Sequence, residues 1–99
     1  TDIERYTSDS PDRFKLMNNY PNPFNPQTVI PYQVSQGGHV TLKVYDVTGR
    51  TVKTLVNKNQ SAGSYQATFK AGELSSGIYL YRLSVDNQFI ATRRMLLIK

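Results

Sequence analysis

The stretch "HVTLKVYDVTGRTVKTLV", residues 39–56, contains two runs of residues separated by a turn. In the first run apolar residues occupy every second position from Val40 to Val44, and this period of two is typical of a half-buried strand. Asp46 and Gly49 fit a type I turn, because aspartate caps its first position and glycine takes the position that needs a positive φ. The stretch therefore predicts two strands joined by a tight turn.

Three further runs predict strands on the same grounds. "SYQATFKA", residues 64–71, alternates with Tyr65, Ala67 and Phe69 on its inward face. "GIYLYRLSV" is apolar or aromatic on both faces, which predicts a central strand that is covered on both sides. "QFIATRRMLLIK" predicts a last strand whose apolar end, residues 95–98, is held in the sheet. Between these two runs, "DN" suits a tight hairpin because both residue types tolerate the left-handed region.

Strands at this spacing in a chain of 99 residues predict the fold class. Short strands with turn residues between them are typical of an antiparallel sandwich. The chain has no cysteine and no tryptophan, so the two hallmarks of antibody domains are missing. We therefore predict an all-β fold, an immunoglobulin-like antiparallel β-sandwich of about seven strands, and no narrower class.

Four of the five prolines lie in "NYPNPFNPQTVIPY", residues 19–32. Pro21, Pro23 and Pro26 each push the preceding residue out of the α region, which predicts a stiff, extended lead-in. Pro31 lies on the outward phase of an alternating run and has no N–H to donate to a ladder. Because only an edge strand tolerates that loss, the sequence predicts that this strand is an edge.

The charge is unevenly distributed along the chain. Residues 1–12 carry a net charge of −3 and the remainder carries +8. Residues 1–12 also contain Thr, Ser and Pro, and this composition is typical of a solvated linker. We predict an acidic linker from a preceding domain at residues 1–12 and one domain at residues 13–99. No apolar run approaches the length of a membrane span, so membrane insertion is not expected.

The sequence offers no support for enzymatic chemistry. His39 is the only histidine, and Ser75 and Ser76 lack the elbow motif that would expose a nucleophile. No His, Asp or Glu residues are spaced as metal ligands, so neither a metal nor another cofactor is expected. The basic residues are dispersed along strands without a recognition motif, which argues against nucleic acid as a partner.

Several blocks together resemble a known family. They are "NYPNPFNPQTVIPYQV", "VTLKVYDVTGRTVKTLV", "SAGSYQATF", "LSSGIYLYRL" and "ATRRMLLIK", and their order and spacing are those of the family. The chain from about Phe14 to Lys99 resembles the type A C-terminal sorting domains of the type IX secretion system. These domains in turn resemble the immunoglobulin-like domain of the flagellar hook-capping protein.

The resemblance implies a non-catalytic targeting domain at the end of a larger secreted cargo protein. Such a domain directs its cargo through the periplasm to the cell surface or the medium, and its partners are the type IX translocon and a sortase. Carried over by motif, the residues implied in translocon recognition are Gly49, Arg50, Gly63, Gly77, Tyr79, Thr92, Arg93, Arg94 and Lys99.

Other interpretations of the same residues stay open. The glycines suit turn geometry in any sandwich, the arginines suit solvated strand positions, and the tyrosines suit a core. Outward Tyr45 beside Lys43 and Thr41 suggests a small stacking platform for a sugar. The alternative function is therefore an accessory β-sandwich module of a secreted enzyme, either carbohydrate-binding or a passive spacer.

Overall fold

A computed structural model describes residues 14–99, and it is all-β. The predicted linker, residues 1–12, lies outside the described residues. The strands are β1 (Lys15–Leu16), β2 (Gln27–Val34), β3 (Gly38–Tyr45), β4 (Thr51–Gln60), β5 (Gly63–Lys70), β6 (Gly77–Val85) and β7 (Gln88–Leu97). In this part of the chain, no helix is long and apolar enough to cross a membrane.

The strands form two antiparallel sheets. The first sheet has the order β1-β2-β5, and the second has the order β4-β3-β6-β7. The predictions of an all-β fold, an antiparallel sandwich and about seven strands are confirmed. The relation to immunoglobulin domains stays a prediction.

The core lies between the sheets and follows the predicted alternation. Ile30, Tyr32 and Val34 of β2 and Val40, Leu42 and Val44 of β3 are all buried. The Tyr32 ring stacks on the Tyr65 ring with centroids 5.5 Å apart. The other fully or nearly fully buried apolar residues are Leu16, Phe24, Ala67, Phe69, Ala71, Tyr79, Tyr81, Leu83, Val85, Met95 and Leu97.

The predicted turns are also present. Gly49 has a φ of 91°, and its N–H donates to the Asp46 carbonyl at 3.0 Å, which closes the turn between β3 and β4. Asp86 and Asn87 have φ values of 52° and 66° and join β6 to β7. Both turns lie where local sequence chemistry predicts them.

The prediction that Pro31 lies on an edge strand is wrong. Strand β2 is the middle strand of its sheet, and Pro31 pairs with Gln66 of β5. The Pro31 carbonyl accepts the Met17 N–H at 3.0 Å. Because the nitrogen and the carbonyl of one residue point to the same neighbouring strand, the Pro31 nitrogen, which has no hydrogen to donate, faces Met17 and not β5. Strand β1 ends at Leu16, so the hydrogen-bond ladder between β1 and β2 ends next to the position where Pro31 lacks an N–H.

A tyrosine from the other sheet occupies the place left by that donor. The Met17 carbonyl, which Pro31 leaves without a ladder partner, accepts the Tyr81 hydroxyl at 2.8 Å. The same hydroxyl accepts the Asn19 N–H at 3.0 Å. Pro31 therefore permits a polar contact between the two sheets, which we call the Tyr81 clamp.

Strand β6 is central in its sheet, as predicted, but only one of its faces is covered. Tyr79, Tyr81 and Leu83 are buried against the first sheet. Ile78 on the opposite face is 43% exposed, and Leu80 is half-buried. The prediction that both faces are covered is therefore wrong, because nothing in the described chain packs on the outer face of this sheet.

The proline segment, residues 20–26, closes one side of the sandwich. The Phe24 N–H donates to the Leu96 carbonyl at 2.9 Å, and the Phe24 carbonyl accepts the Ile98 N–H at 3.1 Å. The Asn22 side chain also accepts the Leu96 N–H at 3.1 Å. The apolar end of β7 is held as predicted, although Ile98 itself remains 50% exposed.

The register between β6 and β7 contains one irregularity. Leu83 pairs with Ala91 and Ser84 pairs with Phe89, so Ile90 is an extra residue on β7. Such a bulge shifts the alternation of every residue that follows it on the strand. As a result, Met95 and Leu97 face the core.

Candidate functional site

The outer surface of β6 and β7 combines exposed cations with apolar side chains. Three cross-strand pairs form it: Ile78 with Leu96, Leu80 with Arg94, and Arg82 with Thr92. We call this block the β6–β7 face. Ile78 is exposed, Leu80 and Leu96 are half-buried, and Arg94 is exposed between them. A surface that offers a cation beside aliphatic groups suits a partner with a carboxylate next to an apolar residue.

The two adjacent arginines of β7 lie on opposite faces, because successive side chains of a strand alternate. Arg93 faces the first sheet, where its guanidinium donates to the Leu16 carbonyl and, at 2.9 Å, to the Asn18 side chain. Arg94 faces outward, and shallow depressions on both of its flanks include Leu80 and Ile78. Both arginines are exposed, but Arg93 is tied by these bonds to the chain around β1, whereas Arg94 lies on the outer surface of its sheet.

One member of the β6–β7 face, Arg82, is a cation stacked between two aromatic rings. The Arg82 guanidinium lies 5.3 Å from the ring centroid of Tyr45 and 5.3 Å from that of Phe89. Its Nε donates to the Thr92 hydroxyl at 3.2 Å. Because Arg82 covers one side of the Tyr45 ring, that side is not free to stack on a sugar, as the proposed platform of Tyr45, Lys43 and Thr41 would require.

The turn that contains Gly49 and Arg50 is organised by one carboxylate. Asp46 accepts the Thr48 hydroxyl, the Thr48 N–H at 2.9 Å and the Arg50 N–H at 3.1 Å. These bonds, the Thr48 hydroxyl first, hold the pKa of Asp46 below its ordinary value of 3.8. The Arg50 guanidinium is 81% exposed and lies 3.4 Å from Asp46. Arg50 is thus displayed from a rigid turn.

The remaining predicted site residues do not share one surface. Tyr79 is buried, and its hydroxyl donates to the Ser75 carbonyl at 2.7 Å. Gly77 begins β6 opposite the end of β7, and Lys99 donates from Nζ to the Gly72 carbonyl at 2.8 Å. Gly63 begins β5 opposite Val34, at the other end of the sandwich. Of the nine residues, only Thr92 and Arg94 belong to the β6–β7 face.

The apolar members of that face were not among the predicted site residues. Ile78, Leu80 and Leu96 stand at every second position of their strands, and their alternation with buried residues indicates an exposed face. The signal available in the sequence was the run "GIYLYRLSV", which is apolar on both faces although only one face lies against the core.

Histidine and the acidic residues of the described part of the chain are not grouped into a metal site. His39 is exposed, and its ring nitrogens lie 2.6 Å and 3.2 Å from the side-chain oxygens of Asn57 and Asn59. Within residues 14–99, no three His, Cys, Asp or Glu side chains are grouped so that they could hold a metal ion.

One comparison with known proteins gave a match. The family model described as a secretion system C-terminal sorting domain matches residues 18–99. The matched range begins just after β1 and includes the Asp46 turn, the whole β6–β7 face and, of the Tyr81 clamp, both Tyr81 and Asn19 but not Met17. No curated protein and no solved structure matches the chain.

Proposed function

Because the chain belongs to the family of secretion system C-terminal sorting domains, we propose that it directs a larger cargo protein through the type IX secretion system. The family implies export to the cell surface or the medium. The proposal adds that the cargo precedes this domain in the same chain, and that the domain has no catalytic role. The observation that carries the proposal is the match over residues 18–99, which includes all but four of the described residues.

We further propose that the translocon recognises the β6–β7 face after the cargo has reached the periplasm. Residues 14–99 contain three acidic residues against ten basic ones, and Arg94 has no carboxylate opposite it in the sheet. Cations on a sheet with a half-exposed apolar strip favour an acidic, partly apolar partner surface. A sortase would then act on the chain before residue 14.

The first experiment tests sorting itself. Residues 1–99 are fused to the C-terminus of an exported fluorescent reporter, in a bacterium with type IX secretion and in a mutant that lacks the translocon. We expect reporter on the surface or in the medium of the competent strain only. Periplasmic retention in both strains, with the domain folded, would contradict the proposal and favour the accessory module.

The second experiment tests the surface. Removing residues 93–99 would also remove Met95 and Leu97 from the core, so truncation cannot separate recognition from folding. Arg94→Glu changes an exposed side chain, and Lys58→Glu on the exposed edge of β4 is the matched control. We expect Arg94→Glu to reduce export while both variants melt like the wild type. Equal export of the two variants would show that the translocon does not recognise Arg94.

A further inference from the structure

Within residues 14–99 the sandwich has four edge strands, and three of them are protected against pairing with another chain. Strand β1 is only two residues long, so it offers almost no edge. The end of β7 is covered by Phe24 of the proline segment through bonds to the backbone of Leu96 and Ile98. The rest of β7 contains the bulge at Ile90 and two exposed arginines, which also disfavour pairing with another strand.

Strand β4 is protected by its irregular backbone and by charge. Its pairing with β3 contains two register shifts, which leave Leu55 and Val52 as extra residues. It also carries Lys53 and Lys58, both exposed. Bulges and lysines are both means by which proteins prevent an edge from accepting another strand.

Strand β5 is the exception. It pairs with β2 over eight residues without a register shift, and it contains no proline. The residues at positions 64, 66 and 68 are Ser64, Gln66 and Thr68, which carry no charge, and Lys70 is the only ionic group on the strand. A regular edge of this length, with its one charge on the last residue, is able to accept a further strand.

The backbone groups of β5 that point away from β2 can be identified from the ladder. Tyr20 and Val29 exchange both N–H to carbonyl bonds, so the backbone groups of Val29 face Tyr20 and not β5. Thr68, the β5 partner of Val29, therefore directs its own N–H and carbonyl to the free edge. The same holds for Gln66, since the Pro31 carbonyl is bonded to Met17.

The groove beside this edge has a definite chemistry. Val52 and Leu74, both half-buried and packed against the core, lie in the opening between β4 and β5. Lys53 and Lys70 line the same opening, with Glu73 as its one carboxylate. A strand added to β5 would cover the two apolar side chains and would place one end beside the two lysines.

We propose that the free edge of β5 is a docking site for an extended segment of a partner protein, alternating apolar and polar residues and carrying an acidic residue at the end near Lys53 and Lys70. Backbone bonds to Gln66 and Thr68 supply the affinity, and the lysines set the orientation. This site is distinct from the β6–β7 face, and it does not depend on the sorting function.

The test uses a synthetic, end-blocked peptide of alternating valine and threonine that ends in two glutamates. Binding to the chain is followed by NMR through the amide signals of β5. We expect the largest shifts at Gln66 and Thr68 and slower amide exchange at both. Two control peptides keep the length: one ends in lysines, and the other is N-methylated at the residues that would face β5. Both should bind at least about tenfold more weakly.

Variants of the chain give an independent reading. Thr68→Pro removes an outward N–H without breaking a bond to β2, and an edge position of this kind tolerates proline. Thr68→Pro should weaken peptide binding by about tenfold. As the control, Thr92→Ala on the distant β6–β7 face should leave peptide binding unchanged. Lys70→Glu should weaken binding of the peptide that ends in glutamates and strengthen binding of the peptide that ends in lysines.

Three results would overturn the proposal. The first is that the N-methylated peptide binds as tightly as the unmodified peptide, a result that is obtained with the wild-type chain and does not depend on the folding of any variant. The amide shifts could fall on β6 and β7 instead of β5. The chain could self-associate through β5 and exclude the peptide, in which case the occupant is a second copy and not a partner segment.

Discussion

Replacing Tyr81 with phenylalanine removes the Tyr81 clamp and nothing else, because only the hydroxyl is deleted from a buried ring. Two partners lose their bond: the Asn19 N–H, which is buried, and the Met17 carbonyl, which is partly buried. A buried group left without a partner costs about 1–3 kcal/mol. Taking about 2 kcal/mol for Asn19 and about 1 kcal/mol for Met17, the free energy of unfolding should fall by about 3 kcal/mol.

The loss is large enough to measure and small enough for the domain to remain folded, since domains of this size have about 5–15 kcal/mol of stability. At roughly 4–8 °C for each kcal/mol, Tm should fall by roughly 12–24 °C. Urea titration followed by near-ultraviolet circular dichroism gives the free energy directly, provided that the slope of the transition does not change.

Tyr65→Phe is the matched control. The Tyr65 hydroxyl also donates to a main-chain carbonyl, that of Ser61 at 2.6 Å, but this bond is exposed and water replaces it. We expect that variant to lose less than about 0.5 kcal/mol. If Tyr81→Phe were no less stable than Tyr65→Phe, the clamp would not hold the two sheets together and our account of Pro31 would be wrong.

Three further predictions concern pH, Pro31 and Gly49. Burial raises the pKa of Tyr32 and Tyr81 above the ordinary 10.0. Their contribution to stability is therefore fully present below about pH 10 and is lost as the pH rises through the raised pKa values. Urea midpoints should fall over that alkaline range, and they should fall less steeply in Tyr81→Phe than in the wild type. Pro31→Val should stay monomeric in sedimentation, because β2 is an interior strand, and a dimer would contradict this. Gly49→Ala should cost about 1 kcal/mol from the left-handed backbone alone, since an added Cβ meets nothing within 4 Å, whereas Gly37→Ala should not destabilise the chain.

Local patterns predicted the strands and the turns, and the reason is that each pattern depends on neighbours in sequence. The alternation from Val40 to Val44 and the Asp46 turn are both complete within a few residues. Residues of this kind fix their own conformation through side-chain period and capping, so their structure follows without knowledge of the rest of the chain.

The errors and omissions come from contacts between distant residues. Pro31 looks like an edge residue until the segment around Met17 and the Tyr81 hydroxyl are placed beside it, and Met17 and Tyr81 are 64 positions apart. The covering of β6 likewise depends on the number of layers, which no strand specifies by itself. Of the residues named from the sequence, Thr92 and Arg94 lie on the candidate surface, and their role stays a prediction. Ile78 and Leu96 could be placed there only from the register of β6 with β7.

The extra residue Ile90 determines which way the two arginines point. Phe89 faces outward with Ser84, so in an unbroken ladder position 93 would face outward as well. If the bulge were straightened and the chain kept its length, Ile90 would pair with Leu83, Arg93 and Arg94 would exchange faces, and Met95 and Leu97 would turn toward water. Deleting Ile90 would instead leave all four residues on their present faces, because Ala91 already pairs with Leu83. One unpaired residue, and not the composition of the strand, therefore decides which side of the sheet receives the core residues and which receives Arg94.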